Sequence, residues 1–368
     1  MSSSVDEGQV SKGIYFQEDW GGGRKLKRLL NTLYITSSDR YLSLDGENVV
    51  VLCGKEEVGR IPLHNLEAIV TCGFTGASPA LMGACAKRNI GLSFLTGSGR
   101  FLARVSGGER GNVLLRKKQY FLSEHDRESL DIAKGFITGK IFNGRWVLER
   151  ATRDHGMRVD GERIKRVSGQ LKNSLKRVQE CGSMETLRGI EGEAASLYFS
   201  VFDELILQQK DGFSFNGRNR RPPLDAVNAL LSFVYTLLNQ MNVSALETVG
   251  LDPYVGVMHG DRPGRASLSL DLMEELRPVL ADRFVVSLIN KRIVSPSGFL
   301  QKEDGAVIMD DDTRKSVLSA WQMRKQEMIK HPFLDEKVEW GMVPYAQALL
   351  LARYIRGDLD GYPPFMWK

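Results

Sequence analysis

The feature that most constrains this chain is a change of hydrophobic period near residue 110. From about Leu29 to Ser106 the apolar residues come in runs of strand length: Thr32-Leu33-Tyr34-Ile35-Thr36, Tyr41-Leu42-Ser43-Leu44 and Val49-Val50-Val51-Leu52, the last two separated by an Asp45-Gly46 turn signal. Leu66 to Thr71, Ile90 to Leu95 and Phe101 to Val105 continue the pattern. Gly97-Ser98-Gly99 reads as a turn, and one helix is predicted over roughly Pro79 to Arg88. After about Gly111 the period lengthens. Helices are predicted over Glu128–Arg153, Ile164–Glu180, Glu191–Gln209, Asp225–Met241, Thr313–Lys330 and Tyr345–Ile355. Strands followed by helices predict an α+β chain with segregated layers and exclude a doubly wound sheet. The expected organisation is a flexible leader over 1–24, ending in Gly21-Gly22-Gly23-Arg24, a small β-rich, sandwich-like domain over 25–110, and a larger all-helical domain over 111–368.

Length and charge narrow the function classes. At 368 residues there is enough chain for a buried core and two domains. Lys and Arg number 50 against 45 Asp and Glu, a mild excess that permits a polyanionic partner without proving one. The four cysteines, at 53, 72, 85 and 181, form no C-x-x-C pair and match no zinc spacing, so they read as reduced, mostly buried thiols of a cytoplasmic protein. The longest apolar stretch, Ala226 to Leu238, is interrupted by Asn228 and Ser232 and reads as too short for a bilayer, so no membrane association is expected. No G-x-x-x-x-G-K-[ST] loop is present, which argues against nucleotide-driven chemistry.

Two segments carry candidate chemistry. The first runs from Val257 through His259, Arg262 and Arg265 into a helix predicted from Ser267. That helix places Asp271, Glu274 and Glu275 at i, i+3 and i+4 on one side, with Leu272, Leu276 and Val279 as its apolar stripe. Like charges so spaced cost roughly 0.2–0.5 kcal/mol per pair, a cost reversed where a cation sits among them. A solvated acidic face and a cation site both fit. In the second segment Gly189 and Gly192 flank Glu191, which reads as the opening of a helix whose small Ala194 and Ala195 permit close packing. An ordinary acidic first turn fits this pattern as well. Together, one imidazole and two or three carboxylates form a hard donor set suited to Mg²⁺ or Mn²⁺ and to phosphoryl transfer. Basic residues lie nearby at Arg218, Arg220, Arg221, Arg262, Arg265 and Arg277. Between Arg145 and Arg188 eleven basic residues stand against six acidic ones, either a phosphate-neutralising surface or a solvated helix face. Asp310-Asp311-Asp312 reads as a helix cap, and His64, His125, His155 and His331 as structural or surface histidines.

Seven motifs follow one another in order: Leu29-Leu30-Asn31-Thr32-Leu33-Tyr34, Tyr41-Leu42-Ser43-Leu44-Asp45-Gly46, Thr75-Gly76-Ala77-Ser78-Pro79, Arg188-Gly189-Ile190-Glu191-Gly192, Arg220-Arg221-Pro222-Pro223 with Asn228-Ala229-Leu230-Leu231-Ser232, Gly250-Leu251-Asp252-Pro253-Tyr254 and Tyr362-Pro363-Pro364-Phe365. Their order resembles the CRISPR-associated spacer-acquisition endonuclease and integrase family, the Cas-one family, in its type I-C branch. The resemblance spans Leu29 to Lys368. It implies an N-terminal β-domain for dimerisation and positioning and a helical catalytic domain. It also implies Glu191, His259 and Glu274 as catalytic and metal-binding residues, and Asp271 as a helper or alternative ligand. Arg262, Arg277 and Tyr235 fall where relatives place DNA contacts or a tyrosine near the site, and Arg218, Arg220 and Arg221 join them as DNA-binding candidates. The implied activity is insertion of short DNA fragments into a CRISPR array by 3′-hydroxyl attack on phosphodiesters, with Mg²⁺ or Mn²⁺. The implied partners are double-stranded DNA (prespacer and leader-repeat), a second copy of the chain, a Cas-two protein bridging two dimers and a Cas-four nuclease. A stand-alone nuclease on branched DNA and a non-catalytic DNA-binding scaffold remain as alternatives.

Overall fold

The computed structural model describes residues 32–35, 39–66, 68–73, 76–88, 90–96, 101–105, 107, 113–219 and 221–368. The expected leader, Leu29–Asn31, Thr75, the Gly97–Gly99 turn and Arg220 lie outside the described residues.

Two four-stranded sheets make the N-terminal part. In one, β1 (Thr32–Ile35), β5 (Ala68–Cys72) and β7 (Gly91–Leu95) run parallel, and β8 (Phe101–Val105) pairs antiparallel with β7. In the other, β2 (Arg40–Asp45), β3 (Asn48–Cys53) and β4 (Glu56–Pro62) form an antiparallel ribbon, and β6 (Gly76–Ala77) adds parallel to β2. Gly46, at φ 56°, supplies the left-handed residue of the two-residue turn between β2 and β3. Leu42, Val49, Ile69, Leu92 and, from α1 (Pro79–Arg88), Leu81 and Cys85 bury themselves in one core drawn from both sheets. Successive strand residues point to opposite faces. Val70 and Leu95 accordingly join the core of the helical part.

The strand-to-helix change falls between β8 and α2 (Val113–Glu124), a helix the periodicity did not suggest. There follow α3 (Asp126–His155), α4 (Gly161–Glu180), α5 (Met184–Ser200), α6 (Ala226–Val249), α7 (Ser267–Leu276), α8 (Arg283–Asn290), α9 (Asp311–Gln326) and α10 (Val343–Arg356). The part is mostly rather than wholly helical. Two short hairpins interrupt it, β9 (Phe299–Gln301) with β10 (Val307–Met309) and β11 (Met328–Lys330) with β12 (Lys337–Glu339). The helix expected to open at Glu191 instead starts at Met184, where the Ser183 side chain accepts from the Thr186 N–H. It ends at Ser200 in a 3₁₀ turn over Phe202–Leu205. Asp310 caps α9 by accepting from Thr313 N–H, as the acidic run suggested.

Helix α6 continues past the expected end to Val249 because Gly250, at φ 88°, closes it. At 24 residues it is long and apolar enough to cross a membrane. In this fold it threads the core instead, with Val227, Leu230, Leu231, Val234 and Leu238 buried. Helix α7 does not stop cleanly. Pro278 has no N–H to return to the carbonyl four residues back, and residues Arg277–Asp282 form a π turn in which Arg283 N–H reaches the Pro278 carbonyl before α8 resumes.

Candidate active site

Three helices meet at Lys140. From α3 its ammonium contacts Glu191 Oε1 of α5 and lies 2.7 Å from Glu274 Oε2 of α7. The second Glu274 oxygen is 2.6 Å from Arg277 Nη1 at the start of the π turn. Close approach of α3 to α7 depends on Gly139, where an added Cβ would stand 2.7 Å from Glu275 Cβ. Burial alone would push the Glu274 carboxyl up, but Arg277 and Lys140, with a smaller contribution from His259, hold it down at about 2. Glu274 is therefore an ionised carboxylate in the interior.

His259 comes from the loop between α6 and α7 and is fixed by Asp271. Asp271 Oδ2 accepts the Val257 and Met258 N–H groups at 2.8 and 3.0 Å, and Oδ1 accepts the His259 N–H at 3.0 Å. His259 Nδ1 sits 2.5 Å from the same Oδ1. With Nδ1–H donating to the carboxylate, the Nε2 lone pair is left to act outward. Arg188, one turn before Glu191, donates from Nε and Nη2 to the Met258 carbonyl at 3.1 and 2.5 Å and ties α5 to the same loop. The loop turns tightly at Gly256, where a Cβ would lie 2.6 Å from the His259 carbonyl and 3.0 Å from Asp271 Oδ2.

The three acids of α7 therefore have separate tasks, and none forms a solvated face. All are buried. Asp271, considered above as a helper or alternative ligand, has both oxygens committed to the His259 loop, which makes it a positioning residue. Glu275 faces away from Glu274 and accepts from Tyr362 O–H at 2.5 Å, Gln347 Nε2 at 2.9 Å and Phe365 N–H at 2.8 Å. Burial, opposed by these hydrogen bonds, brings it up to about 7. Asn143 of α3 closes the arrangement, donating to the Glu275 and Phe365 carbonyls, each at 2.7 Å, and accepting from Trp367 N–H at 2.9 Å.

Among the described residues no three His, Cys, Asp or Glu side chains stand ready as a metal cluster. A lysine ammonium occupies the space between the two carboxylates. Glu274 Oε2 is nonetheless a buried oxygen without an aligned hydrogen bond, despite the ammonium 2.7 Å away. Two carboxylates and an outward imidazole nitrogen are donors that Mg²⁺ or Mn²⁺ accepts. The residues fit such an ion on condition that Lys140 gives way.

The other expected residues divide by exposure. A cavity beside the carboxylates is lined by Lys140, Glu191, Arg218, Tyr235, Arg277 and Asp282, among others. Tyr235 lies between two guanidiniums, Arg218 and Arg277, each 5.2 Å from its ring centroid, and donates to Asp282 Oδ1 at 2.6 Å. Burial and the neighbouring Asp282 push the Tyr235 hydroxyl well above its ordinary range. Burial likewise lifts Asp282 to about 6, against the pull of the Tyr235 hydrogen bond, Arg218 and Arg277. Arg218 is held in place by Asn228 Oδ1 at 2.5 Å and the Asn219 carbonyl at 2.6 Å. Arg221 and Arg262 are exposed. Lys140, Asn143 and Asp282 were not among the expected residues. A single lysine within a long amphipathic helix carries no local signature, and only the crossing of α3 with α5 and α7 gives it a role.

A family model described as CRISPR associated protein Cas1 matches residues 33–323. The chain belongs to the Cas1 family. It is 50% identical over 343 residues to the CRISPR-associated endonuclease Cas1 1 of Chlorobaculum tepidum, covering 93% of this chain and all of that one. It is 51% identical over 347 residues to the endonuclease Cas1 2 of Rhodospirillum rubrum, with the same coverage. A Cas4/Cas1 fusion of Geobacter sulfurreducens is 33% identical over 343 residues, 91% of this chain and 60% of the fusion. Among solved structures, a casposase bound to integration product shares the fold at TM-score 0.78 and 21% identity, covering 92% of this chain and 94% of that one. A chain of a Cas6-RT-Cas1–Cas2 complex matches at TM-score 0.77 and 22% identity, covering 92% of this chain and 36% of that one. A solved CAS1 protein from Thermotoga maritima shares the fold at TM-score 0.76 and 21% identity, covering 89% of this chain and 97% of that one, so the α+β division into a strand-rich N-terminal part and a mostly helical remainder is that of the Cas1 fold.

Proposed function

We propose that this chain is the divalent-metal-dependent DNA integrase and endonuclease of CRISPR adaptation, joining short DNA fragments to the array by attack of a 3′-hydroxyl on a phosphodiester. The observation that carries the reading is the convergence of Glu191 and Glu274, from two different helices, on one cationic centre. Mg²⁺ or Mn²⁺ held by Glu191, Glu274 and His259 Nε2 would polarise the phosphodiester and ease deprotonation of the hydroxyl. The chain supplies the rest. Asp271 keeps the imidazole in one tautomer and orientation, Arg188 fixes the loop that carries it, and Arg277 keeps Glu274 ionised. Replacing one phosphodiester by another is close to energy balance, which accords with a sequence lacking a nucleotide phosphate loop.

The relatives' names support the activity: two are called endonucleases, and the casposase is bound to an integration product. The names of the Cas6-RT-Cas1–Cas2 complex and the Cas4/Cas1 fusion support a Cas2 protein and a Cas4 nuclease as partners; the proposed working form is a homodimer in the cytoplasm, with Cas2 bridging two such dimers. The test is joining of a labelled prespacer to a supercoiled array plasmid with Mn²⁺ or Mg²⁺, with and without a Cas2 partner. Full activity in Glu191→Ala or His259→Ala, or in EDTA, refutes the site. Cleavage of branched DNA that ignores the partner and the repeat favours the stand-alone nuclease.

A further inference from the structure

The Gly250-Leu251-Asp252-Pro253-Tyr254 motif contains no proposed ligand, yet it stands between α6 and the loop that bears His259. A side chain of α2 grips it. Gln119, buried on the same side of α2 as Leu115, donates from Nε2 to the Asp252 carbonyl at 2.7 Å and to the Val255 carbonyl at 3.1 Å. Its Oε1 accepts the Asp252 N–H at 2.9 Å. Both amide hydrogens and the amide oxygen are thus committed to the 252–255 turn. The next residue, Tyr120, donates to Asp252 Oδ2 at 3.0 Å, and Asp252 Oδ1 accepts the Tyr254 N–H at 2.8 Å.

The turn acts in two directions. Toward α7, the Pro253 carbonyl accepts the N–H groups of Leu268 at 3.0 Å and Ser269 at 3.3 Å. These are first-turn donors that the helix itself cannot satisfy, and its N-cap, Ala266, has no polar side chain to offer them. Asp271 lies three residues beyond Leu268, and Glu274 six. Toward the loop, Val255 leads through the tight turn at Gly256 to the N–H groups of Val257, Met258 and His259, which Asp271 accepts. The chain is therefore pinned at 252–255 by α2 and at 257–259 by α7, with Gly256 alone between the two.

A buried amide with its bonds made adds little to stability over an apolar side chain of similar shape, because those bonds largely offset its desolvation. What it adds is a fixed register for a stretch of backbone that has no helix or strand to set one. We propose that Gln119 is a positioning residue of the candidate active site, clamping the 252–255 turn so that His259 and the first turn of α7 keep a fixed place relative to Glu191. Helix α2 is the first helix after β8, so the clamp also ties the His259 loop to the end of the strand-rich part.

The functional half of the inference rests on the metal-site reading and the structural half on the hydrogen bonds alone, so two measurements on the full chain separate them. In metal-free protein, amide exchange over residues 255–270, read by mass spectrometry, should quicken about tenfold in Gln119→Leu. In calorimetric titration the same variant should bind Mn²⁺ about 10–100-fold more weakly, and the ¹⁴N modulation from His259 in pulsed EPR of bound Mn²⁺ should fade. Leu63→Ala, which opens the buried core of the strand-rich part, loses stability without touching the turn and should keep the parent's exchange at 255–270, Mn²⁺ affinity and nitrogen modulation. Should Gln119→Leu not fold, Gln119→Glu takes its place, keeping the acceptor for Asp252 N–H and losing both donations. Parent-like exchange in a folded variant overturns the clamp. Faster exchange with unchanged Mn²⁺ affinity and nitrogen modulation overturns the positioning role. Mn²⁺ bound by the parent without nitrogen modulation sinks the proposed ligand set, while the exchange result still decides the clamp.

Discussion

Replacing Lys140 by methionine tests the candidate site without touching a proposed ligand. The ammonium has two carboxylate contacts, to Glu191 with a quarter of its side chain exposed and to Glu274 with 3% exposed. Removing one partner of a fully buried pair costs about 3–5 kcal/mol, because the surviving charge is stranded. Here Arg277 remains 2.6 Å from the other Glu274 oxygen and water reaches Glu191, so roughly half of that, about 2 kcal/mol, is the expected loss in urea unfolding without metal. The same change deletes the cation that competes for the space between the carboxylates. Mn²⁺ should therefore bind Lys140→Met more tightly than the parent in calorimetric titration. At a hundredfold excess over its Kd it should return about 2.7 kcal/mol of stability. Adding Glu191→Gln to Lys140→Met should abolish that return. A variant as stable as the parent without metal, with unchanged Mn²⁺ affinity, would refute the assignment of Lys140 as the cation holding the two carboxylates together.

Further outcomes follow from the surrounding packing. Gly139→Ala forces α3 and α7 apart at Glu275 and should cost about 1–3 kcal/mol in chemical denaturation, with joining activity falling in step. Gly256→Ala displaces the His259 loop while every proposed ligand stays in place, so Mn²⁺ affinity should fall at least tenfold with only modest loss of thermal stability. Asn143→Leu removes its bonds to the Glu275 and Phe365 carbonyls and to the Trp367 N–H, should cost about 1–3 kcal/mol in all, and should release the C-terminal segment to limited proteolysis. Burial holds buried His331, which accepts from Leu334 N–H and donates to Gln347, at about 4 against an ordinary 6.5. The unfolded chain takes up this proton first, so the contribution is complete above pH 6.5 and lost as pH falls toward 4, on the order of 3 kcal/mol in all. His331→Asn should flatten that window in urea unfolding.

The architecture was legible where one face of an element is buried and unreadable where it is not. The periods placed β2, β3, β8, α1 and α7 within a residue or so, because Leu42, Val49, Leu81 and Leu272 each face a core. β4 escaped because Glu56, Glu57, Val58 and Arg60 are exposed and Ile61 is its one apolar residue packed against the core, so its ladder to β3 defines it more than any period does. The start of α5 was misjudged for a related reason. Gly189 and Gly192 resemble helix punctuation, yet Ser183 supplies the cap and both glycines sit inside the helix. Glu191, His259, Asp271 and Glu274 stood out as acids and an imidazole in unusual company. The residues that organise them, Lys140, Asn143 and Gly139, lie far away in sequence on α3 and acquire their tasks only when three helices cross.

Helix α7 shows why a spacing of acids cannot by itself distinguish a solvated face from a site. Asp271, Glu274 and Glu275 share one side in projection, but loop, helix and C-terminal segment approach that side from different directions and each claims one carboxylate. The apolar stripe of Leu272, Leu276 and Val279 packs opposite, so the whole helix is buried and every acid must find a partner. Arg277 meets Glu274 at the i,i+3 spacing of an ordinary helix, and the π turn that follows carries Asp282 toward Tyr235, so a charge-neutralising arginine and a second, more easily protonated acid stand at the same cavity. A straight helix through these residues would rotate Asp282 away from Tyr235. Restoring one by substituting Pro278 should therefore break the Tyr235–Asp282 hydrogen bond while leaving Glu274 paired, and the freed tyrosine would titrate closer to its ordinary range in a spectrophotometric pH titration.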